Sequence, residues 1–274
     1  MNMHTHHTPS LTEYAPLDTE DLREGFLLEE LFADGELRLT YTDVDRAIVG
    51  AACPGASPLA LEAADALRAD YFCERRELGV INLGAAGTVE VDGTSYALDP
   101  TDVLYIGRGS RAVSFSGAGA RFYLVSYPAH ADYPTTRIGF EDANHIELGS
   151  PEEANRRSLH QYIHEKGVHS CQLVMGWTEL QPGGVWNTMP CHTHDRRSEV
   201  YCYFGVAEGQ AVAHFMGHPQ ESRVLWVQDE QAVLSPAWSI HCGCGTGRYK
   251  FVWAMGGENQ RFDDMDGVAV TELR

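Results

Sequence analysis

Short runs of β-branched and aromatic residues recur along this chain of 274 residues, each soon followed by Gly, Pro or Asp. Examples are RLTYTDV and TVEVDG in the first half and SRVLWVQ and YKFVWAMGG in the second. Such runs are typical of β-strands that end in tight turns. Helical periodicity is confined to the stretches 59–72 and 151–163. The chain is therefore predicted to be all-β or mainly β, with a few peripheral helices.

The two halves of the chain resemble each other in sequence. ERRELGV at 74–80 resembles DRRSEV at 195–200, and residues 102–115 resemble 231–244 at nearly the same offset. A segment that contains three prolines, around 128–155, separates the halves. We therefore predict two domains of similar fold. The predicted ranges are a flexible tail at 1–20, a first β domain at 21–130, a linker at 131–160 and a second β domain at 161–274.

The charge balance limits the partners of the protein. Twenty Lys and Arg stand against 39 Asp and Glu, which gives a net charge of −19 with neutral histidines. Such a surface repels nucleic acid and anionic membranes, so neither is an expected partner. An acidic ligand would need a local cation, such as a metal ion or a group of arginines.

The chain carries no apolar stretch of membrane-spanning length, and its start lacks the basic and apolar parts of a signal peptide. Its seven cysteines are scattered and odd in number, unlike the framework of a small disulfide-rich domain. We therefore expect mostly reduced thiols and a cytoplasmic location.

The segment PCHTHDRRSEVYCYFG contains the strongest candidate site. Alternate residues of a strand lie on one face, so His192 and His194 can project together. Glu199 follows four residues that suit a turn, and His241 comes later in LSPAWSIH. Three imidazoles and one carboxylate suit Zn, Fe, Mn or Ni, and the donor types do not choose among these metals. Taken alone, a pair of alternate histidines is more often a solvated surface strand.

The spacing of Gly184, Gly205 and Pro236 around these four residues resembles the two metal motifs of the cupin superfamily, a small β-barrel or jelly-roll fold. The gap after Gly184 is slightly long, and Trp238 stands where the second motif commonly has Gly. The resemblance favours a metal site over a solvated surface strand.

The first half lacks a corresponding set of ligands. Alignment of the two arginine-containing fragments places Tyr71, Cys73 and Leu78 opposite His192, His194 and Glu199, and Ala112 or Arg111 falls opposite His241. We therefore predict a bicupin in which only the second domain binds metal.

Three other groups could be mistaken for metal sites. His4, His6 and His7 lie in a polar start of the chain that is predicted to be disordered. Cys191 and Cys242 each flank a proposed ligand, and neighbours on a strand point away from it, so we expect buried thiols. Residues 257–266 (GENQRFDDMD) lack the spacing of a calcium loop and are interpreted as a capping segment that reaches a barrel mouth.

The strings ERRELGVIN (74–82), WNTMPCHTHDRRSEVYCYF (186–204) and MGGENQRFDDMD (255–266) resemble the 5-keto-4-deoxyuronate isomerase family, and the resemblance extends from about residue 22 to 274. It implies a cytoplasmic homohexameric bicupin that takes part in the breakdown of pectin-derived or related unsaturated uronates. One divalent metal per chain, Zn²⁺, is implied at His192, His194, Glu199 and His241. The implied reaction converts 5-dehydro-4-deoxy-D-glucuronate to 3-deoxy-D-glycero-2,5-hexodiulosonate through an enediol or enediolate.

This reaction needs a proton-transfer group and a cation for the substrate carboxylate. The candidates for proton transfer are Tyr201, Tyr203, Glu179 and Lys166, and those for the carboxylate are Arg196, Arg197, Arg156 and Arg157. Packing inside the barrel explains the tyrosines equally well, and surface ion pairs explain the arginines. The sequence does not identify the general base.

Two other functions use the same motif. An iron dioxygenase would employ the same His and Glu donors for oxygen chemistry, and a non-catalytic cupin would bind a sugar. Oxygen uptake distinguishes the first from an isomerase. The fold alone leaves these functions open, and the resemblance favours the isomerase.

Overall fold

The computed structural model describes residues 3–274 and is mainly β, which confirms the predicted fold class. The strands of the first part of the chain are β1 His4–His6, β2 Leu27–Leu28, β3 Leu37–Thr42, β4 Ile48–Ala52, β5 Leu59–Ala60, β6 Arg76–Asn82, β7 Gly87–Val91, β8 Thr94–Leu98, β9 Val103–Ile106, β10 Val113–Ser116, β11 Phe122–Pro128 and β12 Thr136–Ile138.

The second part continues with β13 Asn144–Leu148, β14 Arg157–Ile163, β15 Val174–Leu180, β16 Trp186–Asn187, β17 His192–Thr193, β18 Arg197–Phe204, β19 Val212–His218, β20 Glu221–Val227, β21 Ala232–Ser235, β22 Ile240–Gly245, β23 Lys250–Gly257 and β24 Asp266–Gly267. The helices are α1 Leu11–Tyr14 and α2 Thr19–Phe26, with 3-10 turns at Val44–Arg46, Asp65–Leu67, Phe72–Glu74, Phe140–Asp142 and Val270–Glu272. No helix within residues 3–274 has the length and apolar character needed to cross a membrane.

The chain forms two compact units that are interleaved in sequence. Among the described residues, the first unit contains 3–6, 30–143 and 162–174, and the second contains 7–29, 144–161 and 175–274. The predicted ranges run consecutively, whereas each unit combines separate stretches of the chain, and the predicted linker at 131–160 is divided between the units after residue 143. Part of the start of the chain belongs to the second unit, and part of the second half belongs to the first.

The two units share one topology. In the first unit a seven-stranded sheet has the order β1-β3-β4-β11-β6-β9-β12, and a four-stranded sheet has the order β5-β10-β7-β8. In the second unit the orders are β13-β14-β15-β23-β18-β21-β2 and β16-β22-β19-β20. The strands of these four sheets therefore correspond in order, although β1 pairs with β3 in parallel and β13 pairs with β14 antiparallel. In the second unit β17 and β24 form an additional two-stranded sheet. Within residues 3–274 these sheets do not close into a barrel. Each unit is therefore an open jelly-roll of two sheets.

The start of the chain is built into these sheets. Strand β1 pairs in parallel with β3 of the first unit, with His6 opposite Thr42. Strand β2 pairs with β21 of the second unit, with Leu27 opposite Val233. The predicted flexible tail at 1–20 thus contains β1, α1 and the beginning of α2, and its residues 1 and 2 lie outside the described residues.

The two stretches with helical periodicity are not α-helices. Residues 59–72 contain strand β5, which pairs with β10, and a 3-10 turn. Residues 151–163 are a turn followed by β14, which pairs with β13 along its length. The prediction of helices there was wrong because pairing with distant strands outweighs the local periodicity.

Candidate metal centre

Four side chains from the second unit meet at one point, and we refer to them as the His–Glu cluster: His192, His194, Glu199 and His241. His192 lies on β17, Glu199 on β18 and His241 on β22. One ligand atom from each side chain lies within 4.8 Å of every other. The structure thus brings together the four residues predicted as metal ligands.

The imidazole nitrogens of the cluster face one another. Nε2 of His192 is 3.1 Å from Nε2 of His194 and 3.1 Å from Nε2 of His241. Oε2 of Glu199 lies 3.0 Å from Nε2 of His194 and 2.8 Å from Nε2 of His241. Two ligands that each lie about 2.1 Å from a common ion are roughly 3.0–3.4 Å apart at angles of about 90–109°. The spacing of the cluster therefore fits a metal ion.

Main-chain carbonyls fix two of the imidazole rings. Nδ1 of His194 lies 2.6 Å from the carbonyl oxygen of Asp264, and Nδ1 of His241 lies 3.3 Å from that of Ser239. A carbonyl can only accept, so each Nδ1 carries the proton and each Nε2 presents a lone pair to the cluster. This is the tautomer that binds a metal through Nε2.

Burial and neighbouring charges set the protonation of the cluster. Burial and the adjacent imidazoles lower the pKa of His192 to about 2, so this histidine is neutral. Burial alone would raise the pKa of Glu199, but attraction and hydrogen bonds from His241 and His194 hold that pKa well below its usual range. Neutral imidazole and ionised carboxylate are the forms in which these groups bind metals.

The cluster opens into a small cavity of about 150 Å³. Its other walls are largely apolar and come from β14, β15, β18, β23 and the end of the chain. The lining residues outside the cluster are Leu148, Arg157, Leu159, Thr178, Thr188, Pro190, Tyr201, Phe251, Trp253, Met255, Phe262 and Met265. Electrostatic interactions are stronger in such apolar surroundings than in water.

The structure separates the four residues proposed for proton transfer. Tyr201 lines the cavity, and its hydroxyl lies 2.9 Å from Oγ1 of Thr188. The Tyr203 hydroxyl is outside the lining and lies 2.7 Å from Nδ1 of His214. Glu179 forms long ion pairs with Arg248 and Lys250 away from the cavity.

Lys166 lies on an exposed turn between β14 and β15, in a segment that belongs to the first unit. Tyr201 is thus the member of this group that faces the cluster. Burial raises the pKa of Tyr201 well above its usual value, so its phenol stays protonated.

The four candidate arginines also occupy different environments. Arg157 lines the cavity, and its Nη1 donates to the carbonyl of Asn155 at 2.8 Å. Arg156 is exposed and does not line it. Arg196 is bound by the carboxylates of two aspartates near the end of the chain.

Arg197 is 1% exposed, and its guanidinium donates to main-chain carbonyls of the same terminal segment. Arg197 therefore has a structural role, since it holds the terminal segment in place. Arg157 is the candidate whose position suits a ligand in the cavity.

The first unit fills the corresponding positions with apolar side chains. In the hairpin register Val89 pairs with Phe115, as Met216 pairs with His241 in the second unit. Phe115 therefore takes the place of His241, and the sequence alignment with Ala112 or Arg111 was wrong by three or four residues because the turns between the strands differ in length. Phe115, Cys73 and Leu78 are buried in one apolar core.

Sequence reasoning did not single out the other polar residues of the cavity. Thr188 holds the Tyr201 hydroxyl, and Thr178 accepts a hydrogen bond from the indole of Trp253 at 3.1 Å. Asp264 contacts His194 through its main chain, from 70 positions away in sequence. No spacing signal marks such residues, because their roles depend on tertiary pairing.

The chain matches the model of the KduI/IolB family over residues 26–270. It is 52% identical over 260 residues to a 4-deoxy-L-threo-5-hexosulose-uronate ketol-isomerase of Halalkalibacterium halodurans, which covers 93% of this chain and 94% of the relative. Among solved structures, an IolB-like protein of Salmonella typhimurium LT2 aligns with a TM-score of 0.71 at 12% identity, over 89% of this chain and 96% of that one. The Lactobacillus farciminis oxalate decarboxylase in its formate complex aligns with a TM-score of 0.56 at 11% identity, over 82% and 80%. The two structures bear on the fold alone and agree with a cupin-like arrangement.

Proposed function

The chain belongs to the KduI/IolB family, and on this premise we propose that it isomerises 4-deoxy-L-threo-5-hexosulose uronate on a divalent metal ion held by the His–Glu cluster. The observation that supports this most is the 52% identity to a ketol-isomerase over 93% of the chain. The cluster adds a complete set of donors in the tautomer and charge state that suit a metal.

Ketol-isomerisation moves two hydrogens and needs no outside oxidant or reductant. The proton on the carbon next to the aldehyde leaves, the enediol forms, and a proton returns to the former aldehyde carbon. The hydroxyl proton meanwhile passes from one oxygen to the other. A divalent cation would supply Lewis-acid stabilisation for the negative charge that develops on these oxygens. Zinc is the ion that the family resemblance implies, and the same donors also suit iron, manganese or nickel.

Arg157 is our proposed partner for the substrate carboxylate. It lines the same cavity as the cluster, and one of its N–H groups is bound to Asn155. A guanidinium has five N–H donors, so a pair remains to bind a carboxylate in bidentate geometry. A cation at this place is also needed because the protein carries a net charge of −19.

Tyr201 is our proposed group for proton transfer at the substrate oxygens. Its hydroxyl is fixed by Thr188 inside the cavity, and its raised pKa keeps it protonated. A protonated phenol can donate to one oxygen while it accepts from the other. The remaining finer proposals, a homohexamer in the cytoplasm that acts on pectin-derived uronates, come from the family resemblance.

The test is conversion of the freshly prepared uronate, followed by NMR, with the purified protein before and after chelation and after zinc is restored. We expect conversion to disappear with the metal and return with zinc. The variant His192→Ala should lose bound metal and at least about 100-fold in rate, whereas the control His218→Ala, outside the cluster, should keep both. Full activity of the chelated protein would overturn the metal proposal. A metal-loaded protein that consumes oxygen and leaves the uronate unchanged would overturn the isomerase proposal.

A further inference from the structure

The end of the chain passes over the metal cavity as a segment that we call the C-terminal strap, residues 258–268. It starts where the N–H of Glu258 donates to the carbonyl of Arg196 at 2.9 Å. It ends where β24 pairs with β17, with Gly267 opposite His192. Between these points Phe262 and Met265 form part of the cavity wall. The strap is thus both a wall of the site and a neighbour of two residues of the His–Glu cluster.

Arg196 holds the strap from the outside. Its guanidinium lies 2.6 Å from a carboxylate oxygen of Asp264 and 2.8 Å from one of Asp266. These bonds hold the pKa of Asp264 well below its usual range, so its carboxylate stays charged. Two carboxylates bound to one planar guanidinium fix the orientation of the strap relative to Arg196, which a single contact would not do. Residues 264–266 are therefore fixed against the start of β18.

The same residue, Asp264, reaches the metal cluster through its main chain. Its carbonyl oxygen accepts from Nδ1 of His194 at 2.6 Å and from the Arg197 guanidinium at 3.1 Å. The side chain of Asp264 is thus tied to Arg196, and its carbonyl is tied to a metal-ligand imidazole. A shift of the side chain would move the carbonyl that sets the tautomer of His194.

We propose that the clamp formed by Arg196 with Asp264 and Asp266 holds the strap closed and thereby positions His194 for metal binding, which makes Arg196 a positioning residue of the centre. This inference rests on the proposed metal centre. Arg196 itself contributes no ligand atom and does not line the cavity. Breaking the clamp should therefore speed metal release while all four donors remain.

The experiment measures the rate at which a chromophoric chelator removes Zn²⁺ from the loaded, full-length protein. We expect Arg196→Gln to release zinc about tenfold faster than wild type, as is typical when a group that orients a metal ligand is lost. Arg196→Lys keeps the charge without the bidentate geometry. Its zinc release should therefore be slower than that of Arg196→Gln and faster than that of wild type. The matched control is Arg261→Gln, whose side chain lies on the same strap and pairs with Asp263 outside the clamp.

Two further readouts separate positioning from a general loss of stability. Added salt should speed zinc release from wild type, because it screens the part-exposed clamp, and should have little effect on Arg196→Gln. Amide hydrogens of residues 258–268 should exchange faster in Arg196→Gln than in Arg261→Gln. If Arg196→Gln fails to fold, Asp266→Ala removes one arm of the clamp and should give a smaller acceleration.

Folded clamp variants that release zinc at the wild-type rate would overturn this inference and leave the metal centre intact. A wild-type chain that takes up no zinc or other divalent metal would overturn the metal centre and this inference together.

Discussion

At the scale of single residues, Arg157 and its neighbour Arg156 give a direct test of substrate binding. Arg157 lines the cavity, whereas Arg156 is exposed outside it. We expect Arg157→Gln to lower kcat/KM about 10- to 100-fold, mainly through KM, because a charged hydrogen-bond pair contributes roughly 1.5–3 kcal/mol. Steady-state kinetics with metal analysis on the same samples checks this. Equal effects from Arg156→Gln would contradict the assignment.

A second residue-scale prediction concerns acid stability. Burial, with a contribution from His241, lowers the pKa of His214 to about 3, against an ordinary value of about 6.5 in the unfolded chain. Its contribution to stability is complete above about pH 6.5. It is lost as the pH falls towards 3, because only the unfolded chain takes up the proton there.

We therefore expect the unfolding equilibrium of chelated protein to shift by up to about tenfold per pH unit from this group between pH 6 and pH 4. In the variant His214→Gln the unfolding equilibrium should depend less steeply on pH, by about one proton. The exposed His130→Gln serves as the control and should keep the wild-type slope. Denaturant titrations at several pH values measure both, and parallel slopes for all three proteins would exclude His214 as the source.

The sequence predicted which four side chains meet in the His–Glu cluster but left four arginines as candidates for the substrate carboxylate, for a physical reason. Alternation on a strand places His192 and His194 together, and this rule depends only on local geometry. The choice among the four arginines depends on which of them is already bound by other groups of the protein. Arg196 is bound by Asp264, about 70 positions away, and no local rule reports such a partner.

At the scale of elements, the repeated topology predicts how many metal ions one chain binds. The strand counterparts place Phe115 and Leu78 where the second unit has His241 and Glu199, and both lie in an apolar core. We expect one equivalent of metal per chain by elemental analysis, unchanged in Cys73→Ser. A second equivalent in the wild type that persists in His192→Ala would show that the first unit also binds metal.

The strands were more predictable than the helices. Strand runs such as that of β18 carry both high β propensity and turn residues at their ends, so propensity and tertiary pairing agree. In 151–163 the apolar residues fit a helical period, but β14 pairs with β13 and buries one face against the cavity. Strand β2 is two residues long, and its pairing with β21 joins segments about 200 positions apart. Such a pairing carries no local signal.

At the scale of the whole molecule, the net charge of −19 opposes the approach of an anionic substrate. Added salt shortens the range of this repulsion to about 8 Å at 0.15 M. We therefore expect kcat/KM to rise about twofold between roughly 0.02 M and 0.15 M salt. A neutral osmolyte at matched osmolality controls for effects other than charge. A fall with salt would mean that local attraction by Arg157 outweighs the long-range field.

The interleaving of the two units has a consequence for how such a chain is made and divided. Residues 7–29 contain the edge strand of a sheet whose other strands lie after residue 143. Strand β2 is therefore synthesised about 200 residues before its partner β21, so the larger sheet of the second unit can be completed only late in translation. A single cut between the sequence repeats would leave β21 as an unpaired edge, a known route to aggregation. The second sequence repeat taken alone therefore lacks one strand of the unit that it forms.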